Sequence, residues 1–278
     1  MQKHILIPLA LFALAVCGHA GDTTQFPGAF TGKAMVQSND ALMALATVGS
    51  ASDASHAAAI STNKPAWESS ISAGLSLTKG NSDTLLTTVA FKTRRKTTEN
   101  ELTFGADGSY GENNSVKNNE TLHGVGQYNH LFSNRFYGYL NAEGLHDGIA
   151  DLQYRLTFSP GAGLYFLKET NTTLAGEAGP GLIFQELGGV DTTYATLRLA
   201  ERFEHKLDNG ARVWERAEFL PQVDKLGNFL VNAEIGAEAA LTKTLSLRVT
   251  VQDNFINQPA PGRKSNDVKL ISSLVYKF

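Results

Sequence analysis

His146, Asp147 and Asp151 stand together in the stretch HDGIAD, and a histidine beside carboxylates is the elementary kit of a general base. A hydrolase working from one rim hairpin is therefore one reading of the chain. A second set of charges is more extensive. Glu143, Arg155, Glu177, Arg198, Arg202, Glu234 and Arg248 sit in stretches where every second residue is polar, together with Asp151, Glu204, Arg216, Glu218 and Glu238. Opposite charges spaced this way pair across strands, either fixing register as a ladder or lining a narrow polar path. Measured down from the outer loops, Glu143, Arg155 and Arg198 fall at similar depth, and Glu177 lies near Arg202. Nucleophile elbows and metal-ligand spacings are absent from the sequence. The glycines of SPGAGLYF and EAGPGLIF fall inside strand-like runs with no helix following, so they make no phosphate loop. No cofactor and no metal is expected, and the enzyme reading stays the lesser one.

The elements that must carry these charges have a period of two. In 228–241, Phe229, Val231, Ala233, Ile235, Ala237, Ala239 and Leu241 share one face, and Asn232, Glu234, Gly236 and Glu238 share the other. The pattern recurs in stretches near 67–78, 83–94, 100–110, 120–132, 135–146, 151–167, 172–186, 193–206, 211–223, 228–241, 244–256 and 267–278. Most run to eleven residues or more, longer than the usual five or six of soluble sheets and close to the ~9–11 tilted residues that cross an outer membrane. Gly with Asn or Asp punctuates the gaps, as in KGNSD, ELGGVD and KLDNGAR. The expected fold is all-β, an antiparallel up-and-down transmembrane barrel of about twelve strands, with ten as the alternative count. Closure leaves no unpaired edge in lipid. Ser72, Gly74 and Ser76 add small residues to the expected lumen. Glu201 and Glu215 break the apolar face, which calls for either a bulge or a position at headgroup level near the 207–211 turn.

Charged residues make up 18% of the chain and the formal balance is −3, which gives no basis for a nucleic-acid partner. Residues 1–20 read as a secretory signal peptide, with Lys3, an apolar run from Ile5 to Val16, and Gly18-His19-Ala20 before the cleavage point. Removing them takes away one lysine, −3 becoming −4, and the only cysteine, Cys17. Residues 21–66, rich in Ala, Ser and Asn, read as a flexible periplasmic arm, and 67–278 as the barrel. Tyr110, Phe132, Phe136, Phe166, Phe184 and Tyr194 lie near strand ends, where interfacial girdles form. The closing KLISSLVYKF ends in Tyr276 and Phe278, which resemble the C-terminal signal read by the outer-membrane assembly machinery.

The stretches FYGYLNAEGLHDGIADLQYRLTFSPGAGLYF, TTLAGEAGPGLIFQELGG, YATLRLAERFEHKL, LPQVDK, VNAEIGAEAALTKTLSLR and NQPAPGRKSNDVKL together resemble the YdiY-like family of salt-induced outer-membrane proteins, a domain of unknown function. The likeness runs from about Trp67 to Phe278. It implies an outer-membrane location and osmotic regulation, and it brings no catalytic positions. The expected role is a narrow pore for ions or small polar solutes, or an osmotic-stress component of the envelope. The expected partners are outer-membrane lipid, lipopolysaccharide and the barrel assembly machinery. Asp83, Glu112, Asp147, Asp191, Asp224 and Asp267 would hold divalent cations against lipopolysaccharide phosphates at the outer loops. Arg94, Arg95, Lys96, Arg135, Lys168, Lys206 and Lys243 fall at the opposite end.

Overall fold

The alternation resolves into twelve strands: β1 Trp67–Thr78, β2 Thr84–Lys96, β3 Asn100–Asn113, β4 Val116–Leu131, β5 Phe136–Asp147, β6 Leu152–Lys168, β7 Thr172–Leu187, β8 Val190–Lys206, β9 Arg212–Pro221, β10 Phe229–Ala240, β11 Leu245–Ile256 and β12 Asn266–Lys277. The computed structural model describes residues 67–78, 84–208 and 210–278; the signal-peptide and arm readings fall outside them. Each strand pairs antiparallel with the next, and β1 pairs with β12 to close the barrel. The expected count of twelve is met, and the alternative of ten is not.

Closure is made by a short seam. Ser70 to Ala73 pair with Lys277 to Leu274, four positions, whereas β1 and β2 pair at twelve. The last residue extends the seam: Phe278 N–H donates to Ser69 O (3.0 Å) and Ser69 N–H returns the bond to Phe278 O (3.2 Å). At the other end of the barrel, two hairpins turn on two residues each. Asn114 and Ser115 (φ 49° and 62°) join β3 to β4, and Gly188 and Gly189 (φ 61° and 73°) join β7 to β8. Positive φ at both central positions matches the right-handed twist of the paired strands.

The period of two sorts side chains into an inverted protein. Outward lie large apolar residues with much of their surface uncovered, among them Leu75, Phe104, Leu140, Phe158, Ile235, Leu270 and Leu274. Inward lie Glu101, Asn129, Asn141, Arg155, Glu177, Arg198, Glu238 and Thr250, all buried. Water-soluble domains do the opposite. Register runs unbroken from Leu199↔Phe219 to Lys206↔Arg212, so no bulge turns Glu201 or Glu215 inward. Both face out, on the two strands that flank the 207–211 turn.

The aromatics gather outward near both strand ends. Phe132 and Phe136 (5.8 Å between centroids) and Tyr276 and Phe278 (6.0 Å) mark the end that carries the chain terminus. At the far end Phe229 packs between Phe219 (5.5 Å) and Phe255 (5.7 Å). Tyr194 departs from the girdle expectation. It opposes the fully buried Ile183 on β7, so its ring points into the barrel and joins Ile183, Leu220, Leu230 and Ile256 in an apolar cluster there.

Candidate functional site in the barrel lumen

The inner wall is polar because strands of period two that expose apolar residues to the outside must turn the remaining half inward. Bulky inward rings need room on neighbouring strands, and glycines supply it. Tyr137 and Tyr139 on β5 lie flat against Gly163 and Gly161 on β6, where any Cβ would overlap the rings, and Trp214 on β9 lies over Gly236 on β10 in the same way. The rings thus lie over the wall, where Tyr137, Tyr139 and Tyr165 form a buried cluster with Ala175.

Three polar assemblies are fixed on this wall. The first centres on Glu177 of β7. It receives Arg198 Nη1 (2.8 Å) and Arg202 Nη2 (2.9 Å) from β8, Tyr137 OH (2.8 Å) from β5 and Gln127 Nε2 (2.8 Å) from β4. Arg198 also gives its Nε to Glu218 Oε1 (2.5 Å), and its guanidinium lies 5.1 Å from the Tyr139 ring centre. The second centres on Glu238 of β10, which gathers Arg212 (2.9 Å), Arg248 (2.8 Å) and Lys277 (2.6 Å). Beside it Glu234 accepts from Trp214 Nε1 (2.6 Å) and Gln252 Nε2 (3.0 Å), with Arg216 at 3.6 Å. In the third, His123 of β4 bridges two carboxylates, with Nδ1 2.9 Å from Asp107 Oδ1 and Nε2 3.1 Å from Glu143 Oε1. Glu101, buried on β3, pairs with Arg94 and accepts from Tyr165 OH (3.2 Å).

Some of these contacts cross the lumen and narrow it. Gln127 to Glu177 spans from β4 to β7, and Lys269 Nζ lies 3.4 Å from Thr121 Oγ1, joining β12 to β4.

All seven charges singled out from the sequence face inward, though not with the partners that their depth implied. Glu177 does meet Arg202, and Arg198 as well. Arg248 meets Glu238, and Glu234 meets Arg216. Glu143, however, bonds His123 and not Arg155 or Arg198, although His123 on β4 and Arg155 on β6 both lie diagonal to it across its two ladders. Arg155 gives Nε to Gln185 Oε1 (2.7 Å) and makes no ion pair among the described residues, with the carboxylates of Glu143 and Asp147 near enough to act on its charge. Asp151 lies in the β5–β6 turn at φ 59° and not on the inner wall. The sequence reading leaves out His123, Glu101, Asp107 and Arg212, and takes Arg94 only as a charge of the turns at the opposite end. Their inward parity along β2, β3, β4 and β9 was the available signal, blurred by the Asn and Gly content of β3 and β4.

The rim cluster does not assemble as a general base. His146 and Asp147 are adjacent on an extended strand and so project to opposite faces. His146 Nδ1 lies 2.8 Å from Gln153 O, while Asp147 Oδ1 accepts the N–H groups of Ile149 (3.0 Å) and Ala150 (2.9 Å) to shape the turn. Tyr276 and Phe278, the expected assembly signal, face outward and stack at 6.0 Å.

The profile of the family described as "Protein of unknown function, DUF481" matches residues 71–278, which is β1 from its fifth residue to the end of the chain. The chain belongs to that family. No curated protein matches it. Among solved structures, the NanC porin is similar at 8% identity, covering 76% of this chain and 98% of that one with a TM-score of 0.46. The KdgM porin is similar at 8% identity, covering 77% and 99% with a TM-score of 0.44. The translocator domain of the autotransporter NalP from Neisseria meningitidis stands at 15% identity, covering 79% and 91% with a TM-score of 0.39. Likenesses this distant carry no functional weight for the DUF481 chain.

Proposed function

We propose that this DUF481 protein is an outer-membrane barrel whose charged lumen passes ions or small polar solutes. The observation that carries the reading is the inversion itself. Exposed Leu, Phe, Ile and Val cover the outside, while buried Glu177, Arg198 and Glu238 stand inside among their ion pairs. A surface of that kind is stable only against acyl chains, and a closed ladder is the one sheet that leaves no backbone group unpaired there. Twelve strands fall between small barrels filled by side chains and large ones holding an aqueous channel. The rings lying on glycine and the lumen-spanning bonds of Gln127 and Lys269 support a narrow path, suited to small solutes. On this reading Glu143, Arg155, Glu177, Arg198, Arg202, Glu234 and Arg248 line the path, and Tyr276 with Phe278 serves the assembly machinery.

Planar-bilayer recording of the refolded full chain tests the pore. Stepwise conductance above the bare bilayer is expected, and its absence at all voltages and salts would end the reading. Induction by salt is carried by the YdiY-like resemblance alone, and protein abundance after an osmotic upshift tests it separately.

A further inference from the structure

At the end of the barrel opposite the chain terminus, residues of β6, β7, β8, β10 and β11 and of the β9–β10 and β11–β12 loops line a vestibule of about 540 Å³. This lies in the range of sites for small organic molecules. Two loops hold its roof in place. Ala260, in the β11–β12 loop, is buried against the tip of the β7–β8 hairpin, where a Cβ on Gly188 would meet it at 3.2 Å. Lys225, in the β9–β10 loop, donates to Gln258 Oε1 (2.9 Å) and ties the two loops to each other. That loop is itself anchored by Val223 N–H donating to Ala195 O (2.9 Å) and by the bridge between Gln222 and Thr196.

The lining has one sign of charge. It contains the cations Arg155 and Lys225 and no aspartate or glutamate; Asp224 in the β9–β10 loop accepts from Gln222 Nε2 (2.8 Å) and is not part of it, and Glu143 and Asp147 act on the Arg155 charge from beyond it. Arg155 is 7% exposed, and its Nη2 has no hydrogen-bond partner. Elsewhere on the inner wall Arg198, Arg202, Arg212 and Arg248 each sit on a glutamate. A buried guanidinium with no carboxylate at ion-pair distance and one nitrogen unbonded is poorly satisfied, and a ligand that supplies a carboxylate in contact improves it. Guanidinium groups match carboxylates in geometry as well as charge. The lining also holds the side-chain amides of Gln185, which bonds Arg155, and of Gln222, Asn228 and Gln258, groups that both donate and accept and so suit hydroxyls. Leu230 and Ile256 supply the apolar floor.

We propose that this vestibule is a binding site for a small polyhydroxylated carboxylate, with the Arg155 guanidinium taking the carboxylate and the surrounding amides taking the hydroxyls. The site goes beyond the pore reading and does not need the barrel to conduct. Calorimetric titration of the full chain, refolded in detergent, with gluconate and with its neutral analogue sorbitol tests it. Gluconate should bind at least ~10-fold more tightly than sorbitol and than acetate, since charge and hydroxyls both count. Arg155→Gln should weaken gluconate roughly 10- to 100-fold with little effect on sorbitol. Lys225→Glu reverses a lining charge and also breaks the bond to Gln258, so its folding is checked by heat-modifiability; the folded variant should weaken gluconate several-fold and leave sorbitol unchanged, even if Arg155→Gln does not refold. Equal affinity for gluconate and sorbitol overturns the proposal, as does wild-type affinity in Lys225→Glu or in folded Arg155→Gln. Equal binding of acetate and gluconate overturns the assignment of the hydroxyls. A barrel that conducts but fails these comparisons loses the site and keeps the pore, and one that binds gluconate without conducting does the reverse.

Discussion

Replacing Glu238 with glutamine should weaken the barrel more than any other single change of charge on the wall near the seam. This one carboxylate holds β9, β11 and β12 to β10, and its side chain is 2% exposed. Its three cations differ in burial. Arg248, 16% exposed, gives Oε2 both Nε (3.0 Å) and Nη2 (2.8 Å). A charge-assisted contact of this kind is worth about 2 kcal/mol. Arg212 is 28% exposed and also leans 3.7 Å from Glu204, so it keeps a weaker partner; its share is about 1–2 kcal/mol. Lys277 is 43% exposed, and screening by water reduces its share to below about 1 kcal/mol. The total, about 3–5 kcal/mol, coincides with the usual cost of breaking a buried pair from one side. Glutamine keeps a carbonyl acceptor, so Glu238→Gln falls at the lower end, about 3 kcal/mol. Equilibrium urea unfolding of the refolded barrel, followed by the Trp214 fluorescence that reports the same wall, should show a midpoint lowered by about 1–1.5 M for a slope of ~2–3 kcal/mol/M. Lys277→Gln serves as the control and should lower it by less than about 0.4 M. A Glu238→Gln shift no larger than that of Lys277→Gln would refute the weighting by burial.

Other perturbations test the remaining parts of the structure. Gly163→Ala places a methyl inside the space of the Tyr137 ring and should cost about 1–3 kcal/mol, while the same change in a Tyr137→Ala background should cost much less. Leu140, outward and 54% exposed near mid-strand on β5, should tolerate no cation: Leu140→Arg is expected to lose about 2–4 kcal/mol measured by unfolding in lipid vesicles. Deleting Phe278 removes both backbone bonds to Ser69 and one ring of the outward stack. Its loss should slow assembly in cells, read as reduced heat-modifiable barrel in isolated outer membranes, more than it slows refolding in detergent.

The strands were legible because nothing obscures a period of two over a dozen residues. The expected 228–241 and 244–256 became Phe229–Ala240 and Leu245–Ile256. Faces followed from the same parity, which is why Glu177, Arg198 and Arg248 were placed inward correctly. Partners were less legible, because each inward residue has neighbours on both flanking strands and parity does not choose between them. Glu143 shows this: Arg155 on β6 and His123 on β4 both lie diagonal to it, and the bond goes to His123. Tyr194 shows a second limit. A tyrosine near a strand end fits a membrane girdle and an inner apolar cluster equally well until its parity is fixed by Ile183 opposite. The vestibule was not legible, since it is made by loops from β9–β10 and β11–β12 folding over the wall, contacts with no periodic signature.

The claim on which the account rests is that the apolar face meets lipid and the charged face meets the lumen. The chain has two tryptophans, Trp67 at the outward start of β1 and Trp214 on the inner wall, which is 7% exposed. One variant carries Trp67→Phe alone, leaving Trp214 as the reporter. A second carries Trp67→Phe, Trp214→Phe and Leu140→Trp, placing the reporter on the outer face. In vesicles of lipids brominated along the acyl chain, the second should be strongly quenched and the first nearly untouched. Strong quenching of Trp214, or none of the reporter at position 140, would contradict the account.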